Sequence, residues 1–371
     1  MRPIGLVAVG VILIRIGVAL FGRPLTWLPP EPIPSAMLDD GYRRYAGALH
    51  VHTNASPDAD GEFEDAVEDA NEQALDYLVI TDHGTLKHLR EGRQGQHGPT
   101  LVLIGMEISL PVGHYLALNV AQEIDPTGRS AQQVIDAVAA QGGLGFIAHP
   151  HFSKHPWTDW SVRGFTGVEA LSVAHDFIDG RWERVAWWGA ISASPVAYHA
   201  LLRRPDQALE TWDRLLAAGA PVTGIGSTDA HEFHLLGTKY ASYRVMFQLG
   251  RTYLLIPSET LTADAIYDAL RRGHAYIASA VLGDPRDVTF MADDGRAVRG
   301  VMGDAVQLTP GLRLSVHAPS TAELALIKDG SVFATTRDHT WQVPVTEPGI
   351  YRLEVSLDGR PWILTNPIYV R

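Results

Sequence analysis

The chain has 371 residues, 46% hydrophobic and 19% charged, with a formal net charge of −12 and no cysteine. That composition is globular and excludes a disordered chain, and the length suits two domains, or one barrel-sized domain with an appendage. The acidic balance argues against a protein that grips long nucleic acid, and without cysteine any metal must be held by nitrogen and oxygen donors.

Residues 4–21 are apolar except for Arg15 and lead into the proline-rich stretch 24–34. Spanning a bilayer takes roughly 20 apolar residues, and one central Arg costs about 2.5–3.5 kcal/mol on insertion. Residues 1–23 therefore read as a signal-anchor or signal peptide, and 24–42 as a stiff Pro-rich linker. The remainder is expected to be membrane-anchored or exported, with the folded part periplasmic or otherwise outside the cytoplasm.

The run 46–51 reads as a strand entering a core. It ends in His50-Val51-His52, followed by a turn carrying Ser56, Asp58, Asp60 and Gly61. Alternation along a strand puts His50 and His52 on one face. Residues 62–75 are helical, with Phe63, Ala66, Val67 and Ala70 on one buried face. The strand 76–80 ends in Thr81-Asp82-His83, and 101–104 runs into Gly105-Met106-Glu107. Gly113-His114 opens the strand 114–120 as part of a hairpin after Glu107. Ser130 caps a helix, with Gln133 completing a capping box and Gly142 as the stop. The strand 144–148 ends in His149-Pro150-His151, and 168–173 is a further strand.

From 157 to 218 the chain is rich in Trp and reads as helical with irregular turns, Trp182, Trp187, Trp188 and Trp212 being core residues. The helix 207–218 leads to the strand 221–226 and then to Ser227-Thr228-Asp229-Ala230-His231. A final unit comprises strand 252–256, helix 263–272 and strand 274–279. Alternating strands and helices over this length argue for an α/β barrel, with polar residues at the C-terminal strand ends where such enzymes keep their chemistry. Beyond about 284 helical periodicity stops. Short alternating runs (312–316, 324–326, 351–357) between turn signals predict a small all-β sandwich.

Collected, the strand ends supply His50, His52, Asp58, His83, Glu107, His114, His149, Asp229 and His231: six imidazoles and three carboxylates. One such residue is more often a satisfied buried group, but the coincidence of nine points to a metal centre. The order H-x-H, T-D-H, G-x-E with G-H, A-H-P and D-A-H over roughly residues 45–280 resembles the polymerase-and-histidinol-phosphatase (PHP) family of metallohydrolases. The C-terminal stretch around residues 360–368 looks like the tail of its CehA/McbA-type branch. The resemblance implies a distorted seven-stranded β/α barrel (43–283), with the sandwich over 284–371.

It also implies two or three divalent ions (Zn, Mn or Fe). His50, His52 and Asp229 would hold one, Glu107 would bridge to a second held by His114 and His149, and Asp58, His83 and His231 would hold a third. Asp60 is the alternative to Asp58, and Asp82 is expected to orient a ligand imidazole. Catalysis would act through Glu107, Asp229 and His231. His151 and His175 are candidates for the leaving-group acid, and Arg163 and Arg251 for meeting a substrate anion. The leading expectation is a phosphoesterase on a small or short phosphorylated substrate. A carbamate or carboxylester hydrolase and a non-catalytic metal- or ligand-binding surface protein are the alternatives.

Overall fold

The computed structural model describes residues 36–175, 203–235 and 238–371. The expected targeting segment 1–23, most of the expected linker, and Trp182, Trp187 and Trp188 lie outside these. Among the described residues no helix is long and apolar enough to cross a membrane.

Strand β1 (Arg43–Val51) is buried along nearly its whole length and pairs in parallel with β2 (Tyr77–Ile80). After the edge strand β3 (Gly95–His97), β4 (Thr100–Ile104) pairs in parallel with β2. β2 and β4 are largely apolar on both faces, as strands covered on both sides must be. A second sheet holds, in order, β5 (Met106–Leu110), β6 (Gly113–Leu118), β7 (Leu144–Ile147), β8 (Gly167–Ser172) and β9 (Thr223–Ser227). Its first two strands form the expected hairpin and its last three run parallel. The helix Ala131–Ala140 begins at the Ser130–Gln133 capping box, and the chain turns at Gly142 with φ +75°. A small hairpin, β10 (Phe233–Leu235) and β11 (Thr238–Tyr240), follows the D-A-H loop.

Beyond it, β12 (Arg251–Ile256) lies antiparallel on the other edge of β1, and β13 (Ala275–Ala278) on β12. The C-terminal strands are β14 (Thr289–Asp293), β15 (Val298–Val301), β16 (Ala305–Val306), β17 (Arg313–Lys328), β18 (Ser331–Pro344), β19 (Gly349–Leu357), β20 (Arg360–Thr365) and β21 (Ile368–Val370).

Two expectations change here. The seven-stranded barrel is not closed among the described residues: β12 takes the second edge of β1, and the two sheets are joined by the bridges Val51–Ala230 and His83–Glu107, adjoining loop hydrogen bonds, and side-chain bonds of Thr252 and Asn366 to β9, with no continuous strand ladder. The C-terminal part is large and β-rich, but it continues the first sheet, because β20 pairs with β13 and makes a single 14-stranded sheet. Tyr253 and Tyr276 share a core with Phe290, Trp362 and Ile363. The runs 312–316 and 324–326 belong to one long strand, β17, whose register shifts between His317 and Ala322. A partly buried ion network crosses between the parts: Arg352 forks onto Asp213 at 2.8 and 2.7 Å, and Arg204 onto Glu354 at 2.7 Å through two of its nitrogens.

Candidate metal centre

The centre lies where the two sheets meet. His50, His149 and Asp229 all have left-handed backbone, with φ of 61°, 25° and 46°. Such conformations cost on the order of 1–3 kcal/mol each and persist only where the surroundings enforce them. At His50 the cause is visible: the pairing of β1 with β2 slips between Ala48 and Val51. His50 and His52 thus converge by a bulge, where regular alternation was expected. The D-A-H loop is sewn to the same strand end by His52 N–H to the Ala230 carbonyl (2.9 Å) and Thr228 N–H to that of Leu49 (3.1 Å). Tyr243 donates to the His52 carbonyl at 2.6 Å, and Gly61 admits its ring, since a Cβ there would sit 2.2 Å from the phenol oxygen.

Two buried carboxylates organise the donors. Glu107 Oε2 lies 3.1 Å from Nε2 of both His50 and His52, and Asp229 Oδ1 lies 3.2 Å from the same two nitrogens. The other Glu107 oxygen, Oε1, is 2.8 Å from His114 Nδ1 and 3.1 Å from His149 Nε2. Asp58 Oδ2 is 3.4 Å from Nε2 of both His83 and His231. His83 Nδ1 also approaches Glu107 Oε2 at 3.3 Å. All nine expected residues are therefore brought together.

The donor chemistry fits divalent ions. Zn–N and Zn–O bonds of 2.0–2.2 Å in tetrahedral geometry place donors about 3.3–3.5 Å apart, close to the distances around His50, His52, Glu107 and Asp229. Among the described residues, Nε2 of His50, Nε2 of His52 and Asp229 Oδ1 are buried without a hydrogen-bond partner. Each would cost roughly 1–3 kcal/mol if nothing answered it.

The electrostatics follow from that crowding. Burial alone would raise the Glu107 carboxyl, but the imidazoles of His50, His114 and His149 outweigh it and hold it well below the usual range. Asp229 is lowered in the same way, with His50, His175 and His231 overcoming burial. Burial would depress His231, yet Asp229 and Asp58 lift it to about 9. For His175 burial prevails over Asp229 and its pKa falls, which favours the neutral ring.

Other expectations resolve differently. Asp60 turns away, accepting His234 N–H at 2.8 Å, so Asp58 is the carboxylate at the third cluster. Asp82 does not touch a donor imidazole. It binds the Thr53 backbone at 2.6 Å and Ser56 Oγ at 2.9 Å, and Ser56 in turn meets His52 Nδ1 at 3.1 Å. His151 is engaged with Thr211 at 2.9 Å. Arg251 is buried on the carbonyls of Phe247 and Gln73, and exposed Arg163 caps the carbonyls of residues 160–162, so neither meets the centre.

Two contributors escaped the sequence pattern. Glu169, in the apolar strand β8, accepts His50 Nδ1–H and His149 N–H, each at 2.7 Å. That contact places the His50 proton on Nδ1 and leaves Nε2 as a donor to a metal. Its one signal was a lone carboxylate inside Val168-Glu169-Ala170-Leu171. His175, just past β8, sits against Asp229 and was expected only as a rim acid. Beside His149 and His175 opens a cavity of about 300 Å³, walled by Phe152, Ser172, Arg203 and the start of the helix Asp206–Ala217.

The PHP domain family matches residues 48–218, a span that holds the donors from His50 to His149 and ends before Asp229. The uncharacterized protein MJ1587 of Methanocaldococcus jannaschii is 29% identical over 114 residues, 28% of this chain and 66% of that protein, just short of two thirds of its length. Two solved structures are similar at 14% identity. A two-domain protein from Bacteroides vulgatus, described as containing a predicted PHP-like metal-dependent phosphoesterase, has a TM-score of 0.46 over 90% of this chain and 98% of its own. PsfC from Pseudomonas syringae has a TM-score of 0.41 over 62% and 89%.

Proposed function

We propose that the protein is a metal-dependent phosphoesterase whose centre holds two or three Zn, Mn or Fe ions. The observation that carries this is the pair of buried carboxylates turned toward converging imidazoles, with Nε2 of His50 and of His52 lacking a hydrogen-bond partner among the described residues. His50, His52, Glu107 and Asp229 would hold one ion, Glu107, His114 and His149 a second, and Asp58, His83 and His231 a third. Bound there, divalent ions acidify a water and neutralise charge developing on a phosphoryl group.

The chain's own residues prepare that chemistry. Glu169 and Ser56 fix the ring orientations of His50 and His52. His231 Nδ1–H donates to its Asp229 carbonyl at 2.9 Å, turning Nε2 toward Asp58. The cavity supplies a cation for the substrate: Arg203 is exposed on its wall, whereas neighbouring Arg204 is committed to Glu354. This cation favours a small phosphorylated substrate over a carbamate or carboxylester of CehA/McbA type, for which apolar walls would suffice. A screen of phosphomonoesters, phosphodiesters, carboxylesters and carbamates with metal-reconstituted protein tests the reading. Turnover of phosphoesters is expected, and turnover confined to carbamates or carboxylesters would overturn it.

A division of the chain near residue 283 into a PHP-type α/β part and a β-rich part is part of the same proposal, as is an extracytoplasmic location directed by residues 1–23. Cell fractionation tests the location, and a wholly cytosolic pool would contradict it.

A further inference from the structure

Every strand that runs toward the centre delivers a donor from its far end, except, in the set above, β8. β1 gives His50 and His52, β2 gives His83, β7 gives His149 and β9 gives Asp229. β8 ends at Ser172, and three residues on stands His175.

Its surroundings are those of a donor. The ring centroid is 4.2 Å from that of His149, and the Phe152 ring packs 3.7 Å from it on another side. Both His175 nitrogens are buried and, among the described residues, without a hydrogen-bond partner. Nε2 lies against Asp229 Oδ2, but the pair lacks hydrogen-bond geometry. One ligating atom each from His149, His175 and Asp229 falls within 4.8 Å of the others. Asp229 Oδ1 meanwhile faces His50 and His52. Its two oxygens thus serve two different sets of imidazoles, as those of Glu107 do.

We propose that His175 is a further metal donor, sharing an ion with His149 and Asp229 Oδ2, so that Asp229 bridges two ions as Glu107 does. This rests on the metal-centre reading above. The bland alternative is that His175 merely hydrogen-bonds Asp229 and orients it.

The experiment uses full-length protein stripped and reloaded with Co(II), as wild type, His175→Ala and His175→Gln. It reads metal equivalents by elemental analysis, Co(II) affinity by chelator competition, and the visible Co(II) spectrum. Melting of the metal-free forms checks the fold. If His175 ligates, both variants bind one ion at least 100-fold more weakly and the Co(II) bands change. Gln keeps an N–H toward Asp229, so retention of the wild-type equivalents and spectrum by His175→Gln would overturn the inference while leaving the metal centre standing. Wild type that takes up no metal would overturn both. Should neither variant fold, NMR of wild-type Co(II) protein with labelled histidine decides: a hyperfine-shifted His175 ring supports ligation, and an unshifted one refutes it.

Discussion

Replacing Glu169 with Gln separates metal binding from folding. Its two oxygens receive His50 Nδ1–H and His149 N–H, each at 2.7 Å, and the side chain is fully buried. Gln keeps the shape but offers one acceptor oxygen, and its NH₂ then opposes the second donor. A hydrogen bond to a charged group contributes roughly 1.5–3 kcal/mol. Losing this kind of support behind a ligand weakens metal affinity about 10–100-fold, equivalent to about 1.4–2.7 kcal/mol. In metal-free protein the same change leaves one buried donor facing an NH₂, so the melting temperature should fall somewhat, and the metal effect is read as the difference between the two melts. The stabilisation gained on adding metal should shrink by that 1.4–2.7 kcal/mol. Chelator competition and paired melts with and without metal measure both. Affinity within about twofold of wild type in a folded variant would refute the claim that Glu169 sets the His50 ring.

Arg352→Met should cost about 1–3 kcal/mol in urea denaturation, because it removes a buried guanidinium and leaves half-buried Asp213 without that partner; an unchanged stability would contradict this. Burial, reinforced by the Glu232 charge, lifts Asp69 from the usual 3.8 to about 6. A carboxyl raised in the folded state stabilises fully below 3.8 and loses that contribution as pH rises through about 6. Asp69→Asn should therefore match wild type near pH 4 and exceed it by about 1–2 kcal/mol at pH 7–8, after allowance for partial exposure. A gap independent of pH would contradict the assignment. His88 is buried and bonded to Thr53 at 2.9 Å. His88→Ala should destabilise the fold by about 1–3 kcal/mol yet keep its metal equivalents, and metal loss in a folded variant would count against this.

The donors were legible because imidazoles and carboxylates closing apolar strands stand out against the hydrophobic pattern. The same holds for the Glu107–His114 hairpin and the Ser130–Gln133 capping box, whose signals are local. What was not legible depends on distant chain. The bulge that turns His50 inward is set by β2, and the choice of Asp58 over Asp60 by where His83, His231 and His234 lie in space. The joining of β20 to β13 ties residues about 90 apart, and alternation within either strand does not name its partner. Glu169 is a lone carboxylate in an apolar strand, and the strand pattern does not name its partner. Only the convergence of β7 and β8 on β1 shows that its carboxylate is enclosed by imidazoles.

The most direct test is the metal content and phosphoesterase rate of Glu107→Gln beside wild type. Glu107 is 1% exposed and faces His50 and His52 with one oxygen, His114 and His149 with the other. Gln nearly preserves its shape while removing the charge that two ions would share, so it should cost more than losing a terminal donor. Elemental analysis should find at least about one metal equivalent fewer per chain, with turnover largely lost. Full metal content with near-normal turnover would contradict the bridging centre.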